Sequence, residues 1–262
     1  MSQGSKQPSL LGMKVSTGSF QEFVENIASL KETQGSGYTC CANVHMVIES
    51  YKDPDFRRVV NQADFATPDG SPLRHCIKLL YGLEQPRVSG PDLMPALLEL
   101  AEKQGKRVYF LGDTEDVLRE LTGKVRQNHP GIEIAGYFSP PFRDLNESEK
   151  RDIIDMVNAT SPDLLFVALG CPKQEKWMAA HKGKIFASMI GVGYAFRTYA
   201  GLAERAPEWM QSLSLEWLFR LFQNPKRLWK RYLVTNSLFV WLIFKSWIHK
   251  LFSSDKKIVS AS

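Results

Sequence analysis

Lys173, Gln174 and Glu175 follow an unbroken apolar run, residues 164–169, that stops at Gly170. A run of this length, closed by glycine and followed by helical sequence, reads as a buried strand of a parallel sheet. In such sheets ligands bind beyond the carboxyl ends of the strands, where amides and helix N-termini point outward. A polar first helical turn accounts for the same three residues equally well. Asp69 is held between Pro68 and Gly70, just past the short apolar stretch 63–66. Pro-Asp-Gly is a strong turn former, but turns at strand ends also carry catalysis. Arg220, Arg227 and Arg231 form the third group. Arg227 and Arg231 each fall within about 20° of Arg220 on an ideal helical wheel, although Pro225 interrupts it. Guanidinium groups on one face can grip a diphosphate bidentately; a solvated basic face is the competing explanation.

The elements that must position these groups alternate along the chain. Spacing of apolar residues predicts helices over 20–30, 44–51, 91–104, 115–127 and 146–159. Strands are expected at 38–42, 107–111, 132–136, 164–169 and 184–190. The repeated alternation after Arg87 predicts an α/β fold, a Rossmann-like parallel sheet flanked by helices. Residues 1–19, with few apolar anchors, are expected to form a flexible N-terminal arm. Residues 20–202 then make the α/β core and 203–262 a helical, basic and aromatic C-terminal appendage. In that appendage an aromatic-rich helix is expected over 209–222, with a second starting at Lys226.

Other motifs are weaker. Asp53-Pro54-Asp55 matches the D-x-D of some metal-dependent sugar transferases, but it lies between helices and reads as a turn and N-cap. Gly191-Val192-Gly193 begins a dinucleotide pattern that Phe196 breaks. No G-x-S-x-G elbow occurs, and the five histidines lack ligand spacing, so no metal site is expected. The four cysteines contain no C-x-x-C pair and read as reduced thiols. No signal peptide is expected from the polar start of the chain.

At 262 residues and 44% hydrophobic, the chain can bury one substantial core. The net charge of +5 is uneven: between Arg220 and Lys257 nine Lys/Arg face a single acidic residue, Asp255. That asymmetry calls for an anionic partner, whether nucleic acid, a phosphate-bearing substrate or a lipid surface. The apolar segment 238–244 is far short of the ~20 residues that span a bilayer. Its tryptophans and flanking lysines suit a helix lying in the membrane interface. A core helix of a dimer is the competing reading.

In order and spacing these residues resemble the WecG/TagA/CpsF glycosyltransferases, glycosyltransferase family 26, over most of the chain. The marks are Asn43, Pro68-Asp69-Gly70, Arg87 with Gly90 and Asp92, Leu111-Gly112, and the run from Pro172 to Trp177. They continue through Gly191-Val192-Gly193, Gly201, Arg205-Ala206-Pro207, the run from Leu215 to Arg220, and Pro225-Lys226-Arg227. The resemblance implies an inverting transferase that moves a hexose-type sugar (N-acetylmannosamine, its uronic acid, or glucose) from a UDP-sugar to a polyprenyl-diphosphate-linked sugar in cell-surface polysaccharide or teichoic acid biosynthesis. Its implied seat is peripheral, on the cytoplasmic face of the plasma membrane, reached through the appendage. It implies Asp69 as general base, with Asn43, Arg87, Gln174, Gly191 and Gly193 binding substrate. Arg220, Arg227 and Arg231 would close over the diphosphates, with neither metal nor other cofactor and no nucleic acid partner. A homo-oligomer is left open. Cys41 and Arg197 depart from the family's usual Thr and acidic residue, which bears on the choice of donor. An oxidoreductase on the same sheet and a non-catalytic membrane adaptor are the alternatives.

Overall fold

The computed structural model describes residues 7–213, 215–223 and 225–259. The side chains of Ser212, Arg227, Arg231 and residues 251–259 lie outside the described set. The chain opens with a hairpin, β1 (Ser9–Leu10) and β2 (Met13–Lys14), then α1 (Phe20–Ala28) and α2 (Leu30–Gln34). Next come β3 (Gly37–Ala42), α3 (Val44–Lys52), α4 (Pro54–Asn61), β4 (Phe65–Pro68), α5 (Ser71–Tyr81) and α6 (Gly90–Gln104). The middle holds β5 (Arg107–Gly112), α7 (Glu115–Asn128), β6 (Glu133–Phe138), α8 (Glu147–Ala159), β7 (Leu164–Ala168), α9 (Lys173–His181), β8 (Ser188–Gly191) and α10 (Ala195–Tyr199). The last helices are α11 (Glu208–Ser212), α12 (Glu216–Gln223) and α13 (Pro225–Val259).

Six strands form one sheet in the order β4-β3-β8-β7-β5-β6, and every neighbouring pair is parallel. The sheet is the expected Rossmann-like one, and alternation along each strand feeds two cores. Tyr38, Cys40, Ala42, Tyr109, Leu111, Leu165 and Val167 face one side, against α3, α4, α5 and α8. Cys41, Val108, Phe110, Leu164 and Phe166 face the other, against α1, α6, α7 and α10. Phe110 stacks on Phe166 at 5.6 Å and meets Phe196 edge-on at 5.7 Å. Truncating such a ring to alanine costs about 3–5 kcal/mol, so this aromatic group anchors the second core.

Fixed polar groups secure the amino end of the sheet. Asp163 accepts from Lys31 Nζ at 2.7 Å and from the Arg107 amide at 2.8 Å. Asp64 binds Lys182 Nζ and the Tyr38 amide. These carboxylates serve the fold, leaving the opposite edge for ligands.

Three expectations need correction. Residues 7–19 are no loose arm: Leu10, Met13 and Val15 are fully buried in the first core. Two short strands suffice because Lys14 N donates to Asn61 Oδ1 and Ser16 N to the Ala66 carbonyl. The strand expected from residue 184 starts at Ser188, since the Lys184 and Ile185 amides are bound to the His181 carbonyl at the end of α9. The aromatic helix expected over 209–222 is divided into α11 and α12. Beyond Pro225 a single helix, α13, runs 35 residues, and its Phe239, Leu242 and Ile243 join the first core. Asp53 does cap α4, accepting from the Asp55 and Phe56 amides as its turn reading requires.

Candidate active site

The carboxyl ends of β3 and β4 set the centre of the site. Asn43 follows β3 and caps α3, its Oδ1 accepting from the Met46 amide at 3.2 Å. Asp69 follows β4, and its amide donates to the Ala42 carbonyl at 2.8 Å, fastening the Pro-Asp-Gly turn to the end of β3. Arg87 comes from the segment before α6. That segment lies along β4, with Val88 N donating to the Pro68 carbonyl and Thr67 Oγ1 to the Val88 carbonyl. Gly90 lets it pass close to β8: a β-carbon there would stand 3.0 Å from the Val192 carbonyl.

The appendage completes the site. Arg87 Nη1 donates to Glu216 Oε2 at 2.9 Å, and its Nη2 to Asp92 Oδ2 and Gln211 Oε1 at 2.9 and 2.8 Å. Glu216 Oε1 accepts from Arg220 Nη2 at 2.8 Å, one helical turn on. The Arg220 guanidinium lies over the Tyr194 ring at 4.6 Å, and Tyr194 donates to Gln223 Oε1 at 3.1 Å. Asp92 also binds Ser89 Oγ at 2.5 Å and Arg205 Nη2. Burial opposes the Asp92 charge, but these hydrogen bonds and both guanidiniums hold its carboxyl below the usual range.

Asp69 is only partly exposed, and its surroundings set its chemistry. Burial pushes its carboxyl up to about 6; Arg220 opposes the rise, Glu216 adds to it, and an Asn43 hydrogen bond and Arg87 oppose it. A carboxylate tuned toward neutrality is a better proton acceptor than an ordinary one and is still ionised at pH 7.

Gln174 stands in an adjacent group, fully within the protein. Its Nε2 donates to Glu175 Oε1 at 2.7 Å and its Oε1 accepts from the Gly170 amide at 3.2 Å. Gly191 makes room for it, since a β-carbon there would meet Gln174 Nε2 at 3.0 Å. The Gly193 amide donates to the Val167 carbonyl at 3.2 Å. As the chain stands, Gln174, Gly191 and Gly193 pack against one another beneath the carboxyl edge. Cys41 joins the two groups: burial pushes its thiol up, and both Asp69 and Glu175 raise it further.

Of the residues singled out from sequence, Asn43, Asp69, Arg87 and Arg220 come together. The side chains of Arg227 and Arg231 lie outside the described residues. Sequence reasoning gave no role to Glu216, Tyr194 or Gln211. The spacing of Glu216 and Arg220 held the signal for the first; contacts across 124 residues for Gln211 and 29 for Tyr194 supply the rest. Beyond the site, Arg197 makes a bidentate pair with Asp113 at 2.9 and 2.7 Å, at the end of β5. Among the described residues no group of three or more His, Cys, Asp or Glu could hold a metal ion.

A parallel α/β sheet with a carboxylate of raised pKa among arginines at its carboxyl edge is an arrangement that can serve transfer of a group from an anionic leaving group. Residues 8–252 match the model of the glycosyl transferase WecG/TagA/CpsF family, and the chain belongs to that family. It is a glycosyltransferase. A protein of Bacillus spizizenii strain W23 is 35% identical over 214 residues, covering 80% of each chain. One of Bacillus subtilis strain 168 is 35% identical over 193 residues, 73% of each. A third, of Staphylococcus aureus strain MW2, is 28% identical over 225 residues, 84% of this chain and 85% of its own. All three are named N-acetylglucosaminyldiphosphoundecaprenol N-acetyl-beta-D-mannosaminyltransferase.

Proposed function

We propose that this glycosyltransferase moves a hexose-type sugar, N-acetylmannosamine before others, from UDP to a sugar carried on a polyprenyl diphosphate. The observation that carries the reading is Asp69, raised toward neutrality and flanked by Asn43, Arg87 and Arg220. Its carboxylate takes the proton of the acceptor hydroxyl as that oxygen attacks the anomeric carbon. The bond from that carbon to the donor diphosphate breaks, UDP leaves with the electron pair, and the anomeric configuration inverts. A single carboxylate serves a one-step displacement, which needs no second carboxylate as nucleophile.

Charge on the departing diphosphate is met by Arg220, with the beginnings of α3 and α5 at the same edge adding their dipoles. On this reading no metal is required, and an excess of EDTA leaves the rate unchanged. The names of the relatives support both the acceptor and the sugar.

The protein is read as peripheral on the cytoplasmic membrane face. No described helix is long and apolar enough to cross a membrane, while Trp229, Trp241 and Phe244 stand exposed along α13. The test is a donor screen: purified protein, a short-chain polyprenyl-diphosphate N-acetylglucosamine and a panel of UDP-sugars, read by mass spectrometry. One donor is expected to add a single sugar with release of UDP. Failure of every donor at the membrane-mimetic surface would remove the reading.

A further inference from the structure

Glu216 lies at the first position of α12, and its two oxygens divide between its own helix and the core. Oε2 takes Arg87 Nη1 from the core at 2.9 Å, and Oε1 takes Arg220 Nη2 from the appendage at 2.8 Å. It links Arg87 to Arg220 in an alternating chain, Arg205–Asp92–Arg87–Glu216–Arg220, that spans the segment before α6, α6 itself and the appendage. The side chains of Arg87 and Glu216 are only 15% and 20% exposed, so screening by solvent is limited.

We propose that Glu216 is a positioning residue of the transfer reaction: one carboxylate aligns Arg87 and Arg220 beside Asp69, so the base works only with α12 seated. This rests on the glycosyltransferase reading of Asp69. Without Glu216 the two guanidiniums would repel each other, and Arg220 would turn toward Asp69 as its nearest carboxylate. That pairing would hold the base in an ion pair and draw the cation from the leaving diphosphate.

The groups facing Asp69 are Arg220 and Glu216 from α12, Arg87 from the segment before α6, Asn43 at the start of α3, and Cys41 of β3. Those facing Glu216 are Arg87, Arg220 and Tyr194. Removing the Glu216 charge while keeping its shape therefore lowers the midpoint at which Asp69 ionises, because Glu216 raises it.

The experiment compares full-length wild type with Glu216→Gln, Glu216→Ala and Glu216→Asp. Glu216→Ala is expected to lower kcat on the order of 10²-fold with a smaller change in KM, and Glu216→Asp to recover part of the loss. In Glu216→Gln the acidic limb of kcat/KM moves to lower pH. Carbon-13 NMR titration of the Asp69 carboxyl follows the same change without turnover, so it decides the point even if wild type transfers no sugar. Such an inactive wild type would count against the proposed function, not against Glu216. Wild-type kcat in Glu216→Ala, or an Asp69 midpoint unmoved in Glu216→Gln, overturns the proposal.

Discussion

Replacing Asp69 by asparagine should abolish transfer and, at the same time, make the protein more stable. In the unfolded chain the carboxyl titrates near 3.8; in the folded protein burial, above all, lifts it to about 6. The folded state therefore binds the proton more tightly than the unfolded state. Stability from this group is present when it is protonated in both states and is lost as pH rises from near 3.8 through about 6. Above that window the ionised Asp69 costs the fold at most about 3 kcal/mol, the free-energy equivalent of the gap. Asparagine keeps the shape and removes the charge. At pH 8 Asp69→Asn should gain up to about 3 kcal/mol, a rise in Tm of roughly 6 °C for a chain of this size. At pH 4 most of the difference should vanish. Urea denaturation at both pH values, with a UDP-release assay on the same preparations, reads each part. A variant that is less stable than wild type at pH 8, or one whose gain persists undiminished at pH 4, would refute the reasoning. Catalytic loss on the order of 10²-fold or more is expected from removing the base.

Further outcomes follow from the same geometry. The acidic limb of the wild-type kcat/KM profile should have its midpoint near pH 6, where Asp69 ionises; a limb near pH 4 would assign the base elsewhere. Gly112→Ala should lose several kcal/mol or fail to fold, because Gly112 has φ +114° and a β-carbon there collides with the Ala168 carbonyl. Thermal unfolding measures it. Ending the chain after Leu202 should yield an inactive and poorly soluble protein, since Phe239, Leu242 and Ile243 leave the first core uncovered. A monodisperse truncated protein of wild-type Tm would show that α13 adds nothing to that core.

Much of the fold could be read before any coordinates. Every residue of β3 and β7 is buried, so they appear as unbroken apolar or small runs, and glycine or proline ends most of the helices between. The hairpin could not be read, because two strands of two residues carry no periodicity; burial of Leu10 and Met13 depends on Asn61 and Ala66 far along the chain. Asp69 was legible as a carboxylate trapped in a turn, but its tuning was not, since it comes first from burial in the folded chain and then from the opposed charges of Arg220 and Glu216. Gln174 shows the opposite limit. A polar residue at a strand end suggests exposure, whereas its amide is consumed by Glu175 and Gly170.

Arg87 and Glu216 are separated by 129 positions, and their contact closes the site. A nascent chain therefore makes its Pro-Asp-Gly turn and Asn43 long before Glu216 and Arg220 leave the ribosome. The growing polypeptide carries Asp69 beside Arg87 but without Arg220 or Glu216. On the proposed reading, activity arrives late in synthesis, with the segment whose aromatics Trp229, Trp241 and Phe244 stand exposed.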